Sequence, residues 1–156
     1  MVVTSALRRT IETADLLVGN GVPRRRTRLC NERNFGVMEG LTWDDVQHLD
    51  PPVLFIEVGN DRHSVNPKDG EPFEDVWDRA KRFRRMLFRE YQGKRVLVVS
   101  HGVFLQMFHG VLRGTSCIEA LAAYPGSLEL TCFSFTGDRL EDEKTIRLGK
   151  SEPVRW

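Results

Sequence analysis

The sequence has no long apolar run, few cysteines and almost no net charge, and each shortage removes a class of function. Apolar runs such as Val96 to Val99 fall far short of the roughly 20 residues that a membrane-spanning helix needs. Nothing before Thr4 has the charged and apolar regions of a signal peptide. The three cysteines, Cys30, Cys117 and Cys132, are odd in number, far apart and without metal-ligand spacing. They are expected to be reduced, two or more of them buried, in a cytoplasmic protein. The net charge of +1 creates no field that would draw nucleic acid or an anionic membrane. Repeats and low-complexity segments are also missing. What remains is ordinary for a globular chain: 156 residues, 40% apolar and 29% charged, enough for one domain that buries roughly 70% of its unfolded surface.

Periodicity divides the chain into alternating elements. Val2-Val3-Thr4 reads as the end of a strand. Ser5 is a suitable N-cap, and Leu7, Ile11, Ala14 and Leu17 recur at helical spacing until Gly19-Asn20-Gly21. The basic stretch Arg24-Arg25-Arg26 leads to a short extended piece at 28–30. Thr42 with Asp45 predicts the cap of a helix that Pro51-Pro52 must stop. Val53 to Val58 fits strand or helix, and Gly59 to Gly70 reads as a polar loop. Pro72 suits the first position of a long helix. Its apolar stripe is Phe73, Val76, Trp77, Ala80, Phe83, Leu87 and Tyr91, and its solvated face carries Lys81, Arg82, Arg85 and Arg89. Val96 to Ser100 suits a parallel strand covered on both faces, and helical spacing resumes after His101-Gly102. Strands are expected at 128–135 and 145–148, around Thr136-Gly137-Asp138. Alternation of this kind predicts an α/β fold, a mostly parallel sheet with helices on both faces.

Two strand-to-helix turns carry polar groups to one sheet edge, where ligands of such sheets gather. One runs from Thr4-Ser5 into Arg8-Arg9 and the other is Ser100-His101-Gly102. Both offer a helix N-terminus to an anion, and Arg9 could fork two bonds onto a phosphate. Position alone leaves His101 open between a structural and a binding role.

Four blocks lie in the order of a known family. Ser5 to Ala14 (SALRRTIETA) resembles S-P-L-x-R-A-x-Q-T-A, and 29–42 (LCNERNFGVMEGLT) is similar to L-x-x-E-x-x-F/Y-G-x-x-E-G-L-T. Gly70-Glu71-Pro72 resembles G-E-S, and Val98 to Gly102 matches V-V-S-H-G. Together they resemble the histidine phosphatase superfamily, whose fold is phosphoglycerate mutase-like. The resemblance implies catalytic roles for Glu32, the acid that protonates the leaving oxygen, and His101, which stabilises charge on the transferring phosphoryl. It implies a phosphate site of Arg9, Ser5 and Gly102, a small phosphorylated molecule or phosphate as ligand, no metal and no cofactor. Without it, Glu32 would read as a surface acid beside Arg33.

The family's nucleophile is the histidine of an R-H-G at the end of the first strand, and no R-H-G occurs in these residues. The expectation is a single domain over 1–156, incomplete at the N-terminus. The strands at Val2-Val3 and Val96–Val99 are then expected to lack a shared neighbour, leaving the molecule destabilised, rearranged or a homo-oligomer. Arg62-His63-Ser64 is the local substitute: His63 is either a replacement nucleophile or, as its loop position suggests, a solvent-exposed histidine. His48, near a helix end, and His109, within a helix, have structural readings. Pro72 in place of serine removes a hydroxyl, and the short segment between Glu32 and Gly70 resembles phosphatases more than mutases. Three functions stay open: a phosphomonoesterase acting through a phosphohistidine, a non-catalytic binder of phosphorylated ligands, and a chain completed by a donated strand.

Overall fold

The structure, a computed structural model, describes residues 1–19, 21–59 and 61–149. Asn20, Asn60 within the expected polar loop, and the last residues of the expected 1–156 domain lie outside these. In chain order the elements are β1 (Val2–Thr4), α1 (Arg8–Val18), β2 (Arg24–Arg26), α2 (Trp43–Gln47), β3 (Phe55–Val58), β4 (Asp61–Ser64), α3 (Phe73–Glu90), β5 (Leu97–Val99), α4 (Gly102–Arg113), α5 (Cys117–Ala120), β6 (Glu129–Thr136) and β7 (Arg139–Arg147). Single 3-10 turns stand at Arg28–Cys30 and Gly36–Met38.

β1 is the middle of a three-stranded parallel sheet in the order β2-β1-β5. The strands expected to lack a shared neighbour are themselves neighbours: Val2 pairs with Leu97, Val3 with Val98 and Thr4 with Val99. Strand order in a parallel sheet follows the crossovers, which local sequence does not encode. β5 returns from the long α3 excursion to the side of β1 that β2 leaves free. Val2 and Val3 are buried, as a strand covered on both faces requires. β5 has no strand partner on its outer edge among the described residues, and β6 and β7 form a separate antiparallel hairpin.

Residues 53–70, ambiguous in sequence, hold a second hairpin. β3 and β4 pair antiparallel with Phe55 opposite Ser64 and Glu57 opposite Arg62, so β4 replaces part of the expected polar loop. Trp43 packs edge-on against Phe55, and the Arg62 guanidinium lies over both rings.

The core sits between α3 and α4. Phe83 packs edge-on against Phe104 and Phe108 at centroid distances of 5.6 and 4.9 Å, with Val76, Ala80, Met86 and Met107 around them. On α3 the predicted stripe is buried or half-buried and Lys81, Arg82, Arg85 and Arg89 are exposed. Pro72 is the N-cap rather than the first helical residue. α1 starts later than expected. Leu7, not Ser5, is its N-cap, Thr10 and Ala14 are its buried residues, and Leu17 is 52% exposed. The Thr42–Asp45 capping box forms as predicted, and His48 ends α2. β6 is shifted by one residue from its predicted bounds, and β7 starts at Arg139 rather than Thr145 because cross-strand pairing carries the polar residues of 139–144 with it. Of the three free cysteines only Cys30 is buried; Cys117 is partly covered and Cys132 exposed. Cys132 alternates with the inward Phe133 on a hairpin with one solvent face. No helix among the described residues is long and apolar enough to cross a membrane.

Candidate functional site

β1 and β5 end side by side, so the residues that follow them meet. Ser5 leaves β1 and His101 follows β5 by two residues, and the His101 Nε2 lies 2.8 Å from the Ser5 hydroxyl. Arg9, in the first turn of α1, donates from Nε to Nδ1 of His101 at 3.0 Å. An arginine can only donate, so Nδ1 is the bare nitrogen, and the neutral ring carries its proton on Nε2 and gives it to Ser5. Ser5 also accepts the Leu7 amide at 3.1 Å and lies 2.7 Å from Thr10 Oγ1, which donates onward to the Leu7 carbonyl at 2.9 Å. The chain of bonds is complete and directional. Burial, then the charges of Arg9 and Arg79, pull the His101 pKa down to about 4, so the imidazole is neutral near pH 7. Arg9 is exposed, and among the described residues its two terminal nitrogens make no hydrogen bond.

Glu32 comes from the loop after the Arg28–Cys30 turn. Its Oε1 accepts the Arg33 amide at 2.9 Å and the Phe104 amide at 3.1 Å. The N-terminus of α4, which the sequence offered to an anion, thus holds the protein's own carboxylate. Burial raises the Glu32 pKa, opposed by the backbone amides of Arg33, Phe104 and Val103 and by the Arg9 charge. Glu32 is half-buried, not a surface acid, and its neighbour Arg33 is buried, 2% exposed. Gly102 opens α4 beneath Tyr124: a methyl group there would fall on the Tyr124 hydroxyl. The structure therefore brings Ser5, Arg9, Glu32, His101 and Gly102 to one end of the sheet.

His63 is a correction. It is buried, 5% exposed, with Nε2 3.0 Å from the Leu121 carbonyl and its ring edge-on to Phe73. The cause is β4, which turns the expected loop into a strand whose last two residues, His63 and Ser64, are both buried. His63 makes no contact with Ser5, Arg9 or His101 within hydrogen-bond reach. His109 packs against Phe133 in the interior, as its structural reading expected. Among the described residues no three His, Cys, Asp or Glu side chains group as metal ligands would.

Three contributors were not singled out in the sequence. Arg33 lies with its guanidinium 3.9 Å from the Phe73 ring centre and donates to the carbonyls of Glu71 and Ser64 at 2.7 and 2.8 Å. Tyr124 covers Gly102, and its pKa is raised by burial and by the charges of Glu32 and Asp61. Arg79 reaches the loop that carries Glu32. Only Arg79 left a signal: a cation between Val76, Ala80 and Phe83 on the apolar side of its helix.

Comparison with known proteins gives the family and the fold. The profile of the histidine phosphatase superfamily (branch 1) matches residues 1–144. A 2,3-bisphosphoglycerate-dependent phosphoglycerate mutase of Bradyrhizobium diazoefficiens is 32% identical over 121 residues, 72% of this chain and 57% of that protein. The chain thus spans little more than half of that relative's length. Among solved structures, the α-ribazole phosphatase of Shigella flexneri superposes with a TM-score of 0.78 at 21% identity, covering 97% of this chain and 76% of that one. A mycobacterial glucosyl-3-phosphoglycerate phosphatase in complex with inorganic phosphate gives a TM-score of 0.70 at 22% identity, covering 91% and 75%. These superpositions bear out the phosphoglycerate mutase-like α/β fold. Because the profile runs through almost every described element, the chain belongs to the histidine phosphatase superfamily.

Proposed function

We propose that this chain carries the phosphate-binding and proton-donating part of a phosphomonoesterase site, and that turnover is impaired because its residues include no R-H-G nucleophile. The observation that carries this reading is the Arg9–His101–Ser5 chain of hydrogen bonds, with Glu32 half-buried beside it. In this reading the dianion of a small phosphorylated molecule, or phosphate itself, lies against the free end of the Arg9 guanidinium and the first amides of α1, with the Ser5 and Gly102 turns forming its rim. His101, neutral, swings its Nε2–H from Ser5 to a phosphoryl oxygen as charge develops there. Phosphoryl transfer depends mostly on such positioning and charge stabilisation. Glu32, with a raised pKa, holds a proton for the leaving oxygen close to neutrality. In the intact family a histidine accepts the phosphoryl group. Without one, binding persists and hydrolysis does not. No metal or other cofactor is assigned a role, and free cysteines fit a cytoplasmic setting.

The test pairs two measurements on the purified chain. Titration with inorganic phosphate, followed by NMR, should shift the Arg9 and His101 signals. Hydrolysis of a simple aryl phosphate should not exceed that of the His101→Ala and His63→Ala variants. Turnover lost in both variants would restore His63 as a nucleophile, and the absence of any phosphate shift would end the reading.

One observation favours a second reading. The outer edge of β5 is unpaired among the described residues, and a strand donated by another chain, or a second copy of this one, could extend the sheet there and complete the site. Sedimentation should then show the partner or a homo-oligomer.

A further inference from the structure

The loop that delivers Glu32 has no sheet to hold it. Residues 29–32 run from the Arg28–Cys30 3-10 turn into an irregular stretch, and backbone carbonyls in such a segment need partners from elsewhere. Each finds one in a side chain. Arg79 Nη1 donates to the carbonyls of Leu29 and Asn31 at 2.9 and 3.0 Å. Arg79 Nη2 approaches the carbonyl of Glu32 at 3.4 Å, and the Ser100 hydroxyl takes the carbonyl of Cys30 at 2.6 Å. Three of the four carbonyls therefore depend on one guanidinium. That guanidinium is itself oriented: Nε and Nη2 each meet a carboxylate oxygen of Glu71 at 2.7 Å. Its plane also lies 5.4 Å from the centre of the Phe104 ring, and the amide of the same Phe104 holds the Glu32 carboxylate. The Arg79 and Glu71 side chains are 13% and 19% exposed, so water competes little for these bonds.

We propose that Arg79, oriented by Glu71, is the positioning residue that sets the Glu32 carboxyl against the N-terminus of α4. The proposal rests on the reading of Glu32 as the site's acid. The planar fork is what the task requires. One edge engages a carboxylate while the other spans two carbonyls two residues apart, and the compact ammonium of a lysine cannot do both. Arg79 does not touch the phosphate region occupied by Arg9. Its contacts are with the loop and Glu71, and only its charge is felt at His101, so its loss moves the acid while leaving the Arg9 and Ser5 side chains in place.

The experiment follows the Glu32 side-chain carbon by NMR through a pH titration, with the Phe104 amide as a second probe. It compares the unaltered chain with Arg79→Lys, Arg79→Met and Glu71→Gln, and urea unfolding shows which variants remain folded. In the unaltered chain Glu32 should titrate above an exposed glutamate. In both Arg79 variants the loop should release it, its titration should drop into the range of an exposed glutamate, and the Phe104 amide should lose its shift. Glu71→Gln, which keeps the Arg79 guanidinium and its bonds to the loop carbonyls, should move the same way by less. A purely electrostatic role for Arg79 would give the opposite sign in Arg79→Met and rescue in Arg79→Lys. Either that result or an unchanged Glu32 titration in any folded variant overturns the proposal. A phosphate titration in the same samples separates the two ideas. If the unaltered chain ignores phosphate, the functional reading fails while the role of Arg79 stands or falls on Glu32 alone.

Discussion

The Nε–H of Arg9 donates to Nδ1 of His101 at 3.0 Å across 92 positions of sequence, and that bond fixes which ring nitrogen carries the proton. Removing it has two effects. In Arg9→Ala the anion site loses a charge-assisted fork, so affinity for inorganic phosphate should fall about ten- to a hundred-fold, the equivalent of roughly 1.5–3 kcal/mol. The His101 pKa should rise from about 4 because one of the charges that depresses it is gone. Calorimetry checks the first effect and histidine NMR the second.

Glu32→Gln separates geometry from proton donation. The amide oxygen of the variant can still accept from the Arg33 and Phe104 amides, so stability should stay within about 1 kcal/mol of the parent. Any hydrolysis of an aryl phosphate, by this chain or by one completed with a donated strand, should fall about 10²- to 10⁴-fold. Urea denaturation and a steady-state assay measure the pair.

Acid should unfold the protein early. His101 and His109 are both depressed from the ordinary 6.5 to about 4, chiefly by burial. Between those values the unfolded chain binds more protons than the folded one. Stability from these two groups is therefore complete above pH 6.5 and lost as pH falls through 4, on the order of 3 kcal/mol each at full protonation. The urea midpoint should drop across that window, and His101→Gln should flatten its share of the drop. A midpoint equally steep in the variant would show that His101 is not buried as neutral imidazole.

Gly36 should tolerate nothing larger. It has φ +57°, and a Cβ would meet the backbone of Lys68 and Gly70, while the Val37 amide donates to the Lys68 carbonyl at 2.9 Å. Gly36→Ala should destabilise by about 2 kcal/mol or more, because backbone rather than a flexible side chain has to move. The same substitution at Gly21, which has open space around it, is the control and should cost well under half as much.

What the sequence made legible is what short-range chemistry decides. The Thr42–Asp45 capping box spans three residues and forms, and the α3 stripe follows from spacing alone. Three of the four sequence blocks contain Ser5, Arg9, Glu32 and His101, which the structure gathers at one end of the sheet. Three kinds of information were out of reach. The direct pairing of Val3 with Val98 depends on where long crossovers return the chain. The burial of His63 depends on β4 pairing with β3, and Arg62-His63-Ser64 lacks the apolar alternation that announces a strand. Arg79 stands out as a cation on the apolar side of its helix, but its carbonyl partners at Leu29 and Asn31 are backbone groups whose positions no side-chain pattern records.

The clasp between Glu71 and Arg79 also bears on which insertions this chain can survive. The two residues are eight apart, and most of that interval is α3, where one added residue turns everything beyond it by about 100°. An insertion there would swing Arg79 off the loop and strand the acid without touching any residue of the anion site. The connection from α2 toward β3 at 49–53 has no such clasp among the described residues, so length variation among natural variants of this protein should collect there and stop short of Glu71.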